Sequence, residues 1–316
     1  MKKVLSVMFL VLALTLAVSA QSTLRIAADS SSGTYATNLG QLIDKCSDSS
    51  LDITPLVGNP PGSNGGAVGN LDLLYNNKAD AAFMHSDVYL YNAQADPAYN
   101  KFKTLIAFWP EPIHVVVLAQ SKTFKQVKKS GLCVYNCTDN VQVNFNNLSD
   151  LNGYSVAAAG GGVLTSHILS SQGGGNFNVV DAGSGKEVMN KLDSGEVQAA
   201  IFVGAAPLPN LASVQRSGKY RIIPIGESIS NRVGNIYRPV KVNYPGMTSG
   251  PVATLAPLAT LISKQFNTAA KTTAQRKLRS CLANKLGDLQ DNGDPNWQEV
   301  TAGDKGIATI PWLEIK

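Results

Sequence analysis

Two near-continuous apolar runs constrain the fold of this chain more than any other feature of its sequence. "ADAAFM" (Ala79–Met84) and "VQAAIFV" (Val197–Val203) each follow a short segment whose apolar residues have helical spacing. Strands that are covered on both faces have this composition, whereas a strand with one wet face alternates apolar and polar residues. The two runs therefore predict two parallel strands that are covered on both faces, one in each half of the chain.

A second pair of segments repeats one plan in each half of the chain. "TLRIAA" (Thr23–Ala28) predicts a strand, a Ser/Gly loop follows it, and Ala36–Cys46 has the apolar spacing of a helix. Likewise "YSVAAA" (Tyr154–Ala159) predicts a strand, Gly160–Ser166 a loop and His167–Gly173 a helix. Ligands of open α/β sheets gather at the carboxyl ends of the strands, so we expect a cleft where the loops of two lobes face each other.

The first twenty residues differ from the rest of the chain. Lys2 and Lys3 precede the apolar run Val4–Val18, and small residues follow it up to Ala20. The run is too short to span a bilayer comfortably, so we predict a secretory signal peptide (residues 1–20) that is cleaved after Ala20, and a periplasmic location. Loss of the two lysines lowers the formal charge from +5 to +3, which gives no reason to expect a nucleic-acid partner.

The limits of the two lobes are predicted from β-rich connections. "EPIHVVVLAQ" and "NIYRPVKVNY" lie where one lobe pattern gives way to the other. We predict a first lobe of residues 21–115 and 245–316, and a second lobe of residues 116–244. The tail has helical character from Ala253 to Leu289, and we expect it to return to the first lobe.

The four cysteines fit an oxidising compartment. Cys133 and Cys137 could close a tight local loop, which leaves Cys46 and Cys281 as the other possible pair. Zinc is the alternative at "CVYNC", but no further histidine or cysteine lies near it in the sequence. We expect disulfides, and a bond between Cys46 and Cys281 would join an early and a late element of one lobe.

The sequence signatures of the large enzyme classes are absent. It has no G-x-S-x-G elbow, no phosphate loop with its lysine, no G-x-G-x-x-G after the first strand and no H-E-x-x-H. The loop "DSSSGTY" instead offers hydroxyl and backbone N–H donors at a helix start, which suits a small anion. A plain helix cap by Ser32 or Thr34 is the alternative. Because both lobes carry such a loop, we expect a binding protein, with no enzymatic activity and no cofactor.

The three histidines all lie in or beside the predicted cleft segments. His85, His114 and His167 lack the spacing of metal ligands, so we expect hydrogen bonding to a ligand or to the backbone, and no metal site. Asp87 could orient a donor. Glu111 lies in the rigid turn "WPEP", where a structural role and a binding role are equally open.

The order and spacing of several motifs resemble one family over about Leu24 to Ser263. The motifs are "GTY", "KADAAFMHSDV", "FWPEPIHVVV", "DLNGYSVAAAGGG", "LDSGEVQAAIFVGAAPLP" and "YPGMTSGPVATLAPLATLIS". Together they resemble the TAXI family, the extracytoplasmic solute receptors of TRAP (tripartite ATP-independent periplasmic) transporters. The resemblance implies a two-lobed α/β fold of the type II periplasmic-binding-protein class. It also implies a monomeric receptor that closes on a small carboxylate or amino-acid solute and delivers it to the membrane permease subunits of a TRAP transporter.

The resemblance also implies which residues line the pocket. By position these are Gly33, Thr34, Tyr35, Asn70, Ser86, Asp87, Pro110, Glu111, Gly162, Thr165, Val203 and Gly204. The loop and histidine patterns described above add Ser31, Ser32 and His85 to this set.

This sequence departs from the family at candidate ligand contacts. Val163 and Leu164 stand where the family has Ser-Gly, which predicts a less polar pocket on the second lobe. The ligand therefore does not transfer from the family. Two other functions stay open: a periplasmic sensing partner of a membrane signalling receptor, and a secreted hydrolase that uses one of the loop serines.

Overall fold

A computed structural model describes residues 22–28, 33–58, 66–120, 122–127 and 138–315 of the chain. The predicted signal peptide lies outside the described residues, and so do Ser31, Ser32, Cys133 and Cys137. Within the part that is described, no helix is long and apolar enough to cross a bilayer.

The described residues form both strands and helices. The strands are β1 (Ser22–Ala27), β2 (Leu51–Leu56), β3 (Ala81–His85), β4 (Phe102–Pro110), β5 (Ile113–Leu118), β6 (Lys122–Val127), β7 (Thr138–Val143), β8 (Ser155–Ala158), β9 (Asn178–Asp181), β10 (Ala199–Val203), β11 (Tyr220–Ile223), β12 (Arg238–Val242), β13 (Val252–Ala256) and β14 (Leu258–Lys264). The helices are α1 (Thr34–Cys46), α2 (Gly66–Tyr75), α3 (Ser86–Ala95), α4 (Gly161–Ser171), α5 (Gly185–Ser194), α6 (Pro209–Ala212), α7 (Glu227–Val233) and α8 (Ala269–Asn292). Short 3₁₀ turns lie at Pro97–Lys101, Leu148–Leu151 and Pro295–Glu299.

Two five-stranded sheets share one plan. The first has the order β2-β1-β3-β14-β4, and the second, read from its other edge, has the order β9-β8-β10-β5-β11. In each sheet the first three strands are parallel, and the fourth runs antiparallel to both of its neighbours. The predicted two-lobed α/β architecture is therefore confirmed. The predicted parallel pairing of the two buried strands is confirmed on one side of each, since β3 pairs in parallel with β1 and β10 with β8. On the other side β14 and β5 run antiparallel to them, so both sheets are mixed.

The central strands of the two sheets match the apolar runs of the sequence. Every residue of β3 is buried, and β10 contributes Ala199, Ala200 and Ile201 to the core. One hydrophobic cluster contains residues of both sheets, among them Met84 and Ile201, so the lobes are packed against each other. Burial on both faces explains why these strands lack alternation.

The chain crosses between the lobes at two places that are hydrogen-bonded to each other. The first crossing is the dipeptide Glu111-Pro112 between β4 and β5, and the second is Pro257 between β13 and β14. The backbone N–H of Glu111 donates to the carbonyl of Pro257 at 2.9 Å. The predicted limit at 115/116 falls inside β5, and the predicted lobe limits otherwise remain a prediction.

Two predicted local structures are wrong. The segment Gly160–Ser166 is not a loop, because α4 begins at Gly161 and Gly160 is its N-cap residue. The tail is not helical from Ala253, because Val252–Ala256 and Leu258–Lys264 are strands and the helix begins only at Ala269. A short apolar run does not distinguish a buried strand from a buried helix, and here it is a strand.

The C-terminal tail packs on elements of the first sheet. Helix α8 packs on β1 and α1, and buries Leu278, Leu282, Leu286 and Leu289 at helical spacing. A disulfide between Cys46 at the end of α1 and Cys281 of α8 confirms the predicted pairing of these two cysteines.

We expect this bond to contribute strongly to stability, because it closes a loop with a sequence separation of 235 residues. Cys46→Ser/Cys281→Ser should lower the free energy of unfolding by about 2–5 kcal/mol in urea titrations. Cys133→Ser/Cys137→Ser is the matched control, since a bond there would close only a very short loop and should change stability less. An equal or larger loss in the control would contradict the expectation.

Candidate functional site

Three helices begin at the cleft side of the two sheets. Helix α3 follows β3 directly, while α1 and α4 follow β1 and β8 after short connections. Their N-cap residues Gly33, His85 and Gly160 form no side-chain capping hydrogen bond. The N-terminal N–H groups and the positive end of the helix dipole suit an anionic group such as a carboxylate.

The turn from β3 into α3 places Asp87 between the lobes. Asp87 lies in the first turn of α3 and is completely buried. Its Oδ2 atom accepts a hydrogen bond from Thr165 Oγ1 of α4 at 2.6 Å and another from the Tyr237 hydroxyl at 2.9 Å. Both donors belong to the part of the chain that builds the second lobe, so this carboxylate joins the two lobes across the cleft.

A second buried carboxylate lies at the first crossing between the lobes. Glu111 is 2% exposed, and its Oε2 atom accepts a hydrogen bond from the Tyr35 hydroxyl at 2.5 Å. The ring of Tyr35 stacks on Phe83 with centroids 5.3 Å apart, and this contact fixes its direction. Glu111 therefore has a direct contact with the start of α1, and its binding role stays a prediction.

His85 lies between the two carboxylates. Its Nε2 atom is 3.2 Å from Glu111 Oε2, and its Nδ1 atom is 4.0 Å from Asp87 Oδ1. Across the cleft it packs on Gly161, where a Cβ atom would lie 2.9 Å from Nδ1. We use the name cleft cluster for these six residues: Tyr35, His85, Asp87, Glu111, Thr165 and Tyr237.

Burial controls the electrostatics of the cleft cluster. Desolvation raises the pKa of both Asp87 and Glu111, and the nearby His85 opposes this effect in each case. Burial also raises the pKa of the Tyr237 hydroxyl, and the adjacent Asp87 carboxylate raises it further. Tyr237 thus remains a neutral donor to Asp87.

The remaining predicted site residues lie around the cluster in several roles. Gly33 and Thr34 start α1, and Pro110 ends β4 beside Glu111. The Asn70 amide donates to the carbonyl of Phe83 at 2.8 Å, and Ser86 Oγ accepts from the backbone N–H of Leu258 at 3.0 Å. The other three are Gly162 in the first turn of α4, Val203 at the end of β10 and Gly204 directly after it.

Two of the three histidines do not lie in the cleft. His114 is buried in β5, where its Nε2 atom is 3.0 Å from the Tyr244 hydroxyl. His167 lies on the exposed side of α4, with its ring 6.1 Å from that of Tyr91. Only His85 joins the cleft cluster. Among the residues with described positions, no group of three His, Cys, Asp or Glu side chains is arranged to hold a metal ion.

Sequence reasoning missed Tyr237. This tyrosine lies just before β12 and is separated from Asp87 by 150 residues. Nothing in "NIYRPV" distinguishes a tyrosine that reaches a carboxylate from one that packs in the core.

The neighbouring residues Val163 and Leu164 pack, partly buried, against the core that the two lobes share.

The comparisons with known proteins concern the fold. No protein-family model matches the sequence, and no curated protein matches it. An amino acid ABC transporter substrate-binding protein from Streptococcus pneumoniae, bound to L-arginine, is similar in structure with a TM-score of 0.47 and 13% identity, over 90% of this chain and 98% of that one. An arginine transport system periplasmic binding protein from Legionella pneumophila has a TM-score of 0.48 and 11% identity, over 88% and 99% of the two chains.

A third similar structure is the alkanesulfonate-binding protein from Xanthomonas axonopodis, bound to MOPS. Its TM-score is 0.49 at 15% identity, over 87% of this chain and 76% of that one. These three proteins are solute-binding proteins and not enzymes. The strand order of both sheets, with an antiparallel strand in fourth place, confirms the two-lobed α/β fold that the sequence predicts.

We predict that Gly161→Ala destabilises the protein. The new Cβ atom would lie 2.9 Å from His85 Nδ1 and 3.3 Å from Val88 Cγ2, and overpacking of this kind costs about 1–3 kcal/mol. Gly287→Ala in α8 is the matched control, because no atom lies within 4 Å of its Cβ position. There the gain in helix propensity should stabilise the protein by up to about 1 kcal/mol. Chemical denaturation measures both, and equal effects would contradict the packing of His85 on Gly161.

We also predict an acid-sensitive second lobe. Burial lowers the pKa of His114 from 6.5 to about 4, so its neutral form contributes stability above pH 6.5 that is lost as the pH falls towards 4. The loss should reach about 3 kcal/mol. Urea titrations of the wild type and His114→Gln between pH 7 and pH 4 should show a shallower pH dependence in the variant. The exposed His167→Gln control should keep the wild-type slope, and an unchanged slope in His114→Gln would contradict the prediction.

Proposed function

We propose that this chain is an extracytoplasmic solute receptor whose two lobes close on a small organic acid or amino acid. The observation that carries the proposal is the cross-lobe contact of Asp87, which accepts hydrogen bonds from Thr165 and Tyr237 inside the cleft. A cleft that brings three uncapped helix N-termini next to buried polar side chains has the features of a site for a small charged molecule.

The magnitudes favour closure of both lobes on the solute. A helix N-terminus contributes about 0.3–2 kcal/mol to the binding of an anion, and micromolar affinity needs about 8 kcal/mol. Hydrogen bonds to a charged group add roughly 1.5–3 kcal/mol each. No single loop supplies this total, so donors from several loops have to converge on the same solute, and closure of the lobes would bring those loops together.

We further propose that the receptor is a TAXI-type protein and delivers its solute to the permease of a TRAP transporter. The support is the order of the motifs from "GTY" to "YPGMTSGPVATLAPLATLIS". A signalling receptor in the membrane is the alternative partner, because a two-lobed protein that has closed on its solute could present it to either one. Cells that carry the permease should take up the solute only when this chain is also present, and uptake without it would contradict delivery.

A hydrolase gains no support from the described serines. The Ser86 hydroxyl accepts from a backbone N–H, and the Ser166 hydroxyl donates to the carbonyl of Gly162 at 2.7 Å. No serine hydroxyl among the described residues bonds to a histidine ring. The geometry of an activated serine nucleophile, with its base within hydrogen-bond reach, is therefore missing from this part of the chain.

The experiment that tests the receptor is mass spectrometry of the solute that co-purifies with the mature protein, followed by calorimetry. We predict that Tyr35→Phe weakens binding of that solute by about 10-fold or more, because Glu111 loses a charge-assisted hydrogen bond. Tyr220→Phe is the matched control, since it removes a hydrogen bond of 2.6 Å to Asp193 on the second lobe, outside the cleft cluster.

The control variant should bind the solute like the wild type. If Tyr35→Phe also keeps the wild-type dissociation constant, then the cleft cluster is not the binding site.

A further inference from the structure

The cleft cluster carries more negative than positive charge. Two carboxylates, those of Asp87 and Glu111, are buried there, and His85 is the one titratable base among the described residues that contacts either of them. The other groups that act on the two carboxylates are neutral. They are the hydroxyls of Tyr35, Thr165 and Tyr237, the backbone N–H of Val88 at Asp87 and the indole of Trp109 at Glu111. No lysine or arginine of the described residues forms an ion pair with either acid. Buried charges are normally paired, and here two carboxylates share one basic side chain.

The cluster also contains polar atoms that lack partners. Asp87 Oδ1 and His85 Nδ1 are buried and have no hydrogen-bond partner in the described part of the chain. The two atoms lie 4.0 Å apart, on the side where His85 meets Gly161. Buried polar atoms usually find a partner, and each exception needs an explanation. Here the free acceptor belongs to the same carboxylate that joins the lobes.

We propose that the cleft cluster recognises a cationic nitrogen of the solute, with Asp87 Oδ1 as its acceptor. The solute is then an amine-bearing acid of the amino-acid class, and a plain mono- or dicarboxylic acid is excluded. This inference rests on the proposed function and narrows it to one of the two solute classes considered there.

The division of roles within the cleft follows from the charges. The N-termini of α1, α3 and α4 suit the carboxylate of the solute, whereas Asp87 and Glu111 would repel a second carboxylate. An ammonium group has three donors and no acceptor, which matches an acceptor that lacks a partner. Burial raises the pKa of both acids, and a neighbouring cation is what keeps such acids ionised.

The test compares matched probes by calorimetry on protein freed of co-purified solute. L-leucine is compared with 4-methylpentanoate, which lacks the amine, and with 3-methylbutylamine, which lacks the carboxylate. L-glutamate is compared in the same way with glutarate and 4-aminobutyrate. In at least one set the amino acid should bind about 10- to 100-fold tighter than its amine-free partner, which is the effect of losing a charged hydrogen bond.

The variant Asp87→Asn tests the acceptor directly. In this variant the dissociation constants of the amino acid and of its amine-free partner should become nearly equal. The variant Asp44→Asn, on the exposed side of α1, should keep the wild-type ratio of these two constants. Circular dichroism shows whether each variant is folded. The comparison of the probes on the wild-type protein tests the cationic subsite even if a variant does not fold.

The outcomes separate the two proposals. Equal binding of the amine-free acids overturns the cationic subsite and leaves the receptor function standing. A preserved ratio in folded Asp87→Asn overturns the role of Asp87. Failure of every probe, together with absence of any co-purified solute, overturns the receptor function itself.

Discussion

The carboxylate of Asp87 is the group on which the arrangement of the two lobes depends. It extends from the first lobe, is completely buried, and accepts hydrogen bonds from two hydroxyls of the second lobe. An ionised carboxylate costs several kcal/mol to bury unless its partners compensate for the lost water. If the lobes separated, Asp87 would regain water but would lose its hydrogen bonds from Thr165 and Tyr237. The relative position of the lobes and the charge of the cleft are therefore coupled through one side chain.

The fold supports this contact from both sides. Helix α3 begins directly after β3, so the position of Asp87 follows from the register of the most buried strand in the first sheet. Glu111 is part of the first crossing between the lobes, and its backbone is hydrogen-bonded to the second crossing at Pro257. A movement of one lobe would change the place where Glu111 meets His85 and Tyr35. The crossing and the binding cleft thus share a residue.

The sequence predicted the parts of this structure that depend on local pattern. The runs Ala79–Met84 and Val197–Val203 have the composition of strands covered on both faces, and Cys46 and Cys281 are one of the two possible cysteine pairs. Prediction from local pattern failed where contacts between distant parts of the chain determine the structure. The glycines at Gly160–Gly162 predicted a loop, yet they start α4, and Gly161 has no room for a side chain because His85 packs on it. Likewise Tyr237 and His114 are polar residues in apolar surroundings, and only the folded chain shows that one reaches the cleft and the other does not.

A crystal structure of the protein with its co-purified solute tests the central claim most directly. We predict that the solute lies between the lobes, with a cationic nitrogen within about 3 Å of Asp87 Oδ1 and its carboxylate at the N-termini of α1 and α4. A solute bound elsewhere on the molecule, or one that lies in the cleft without any contact to Asp87, Glu111 or His85, would contradict it.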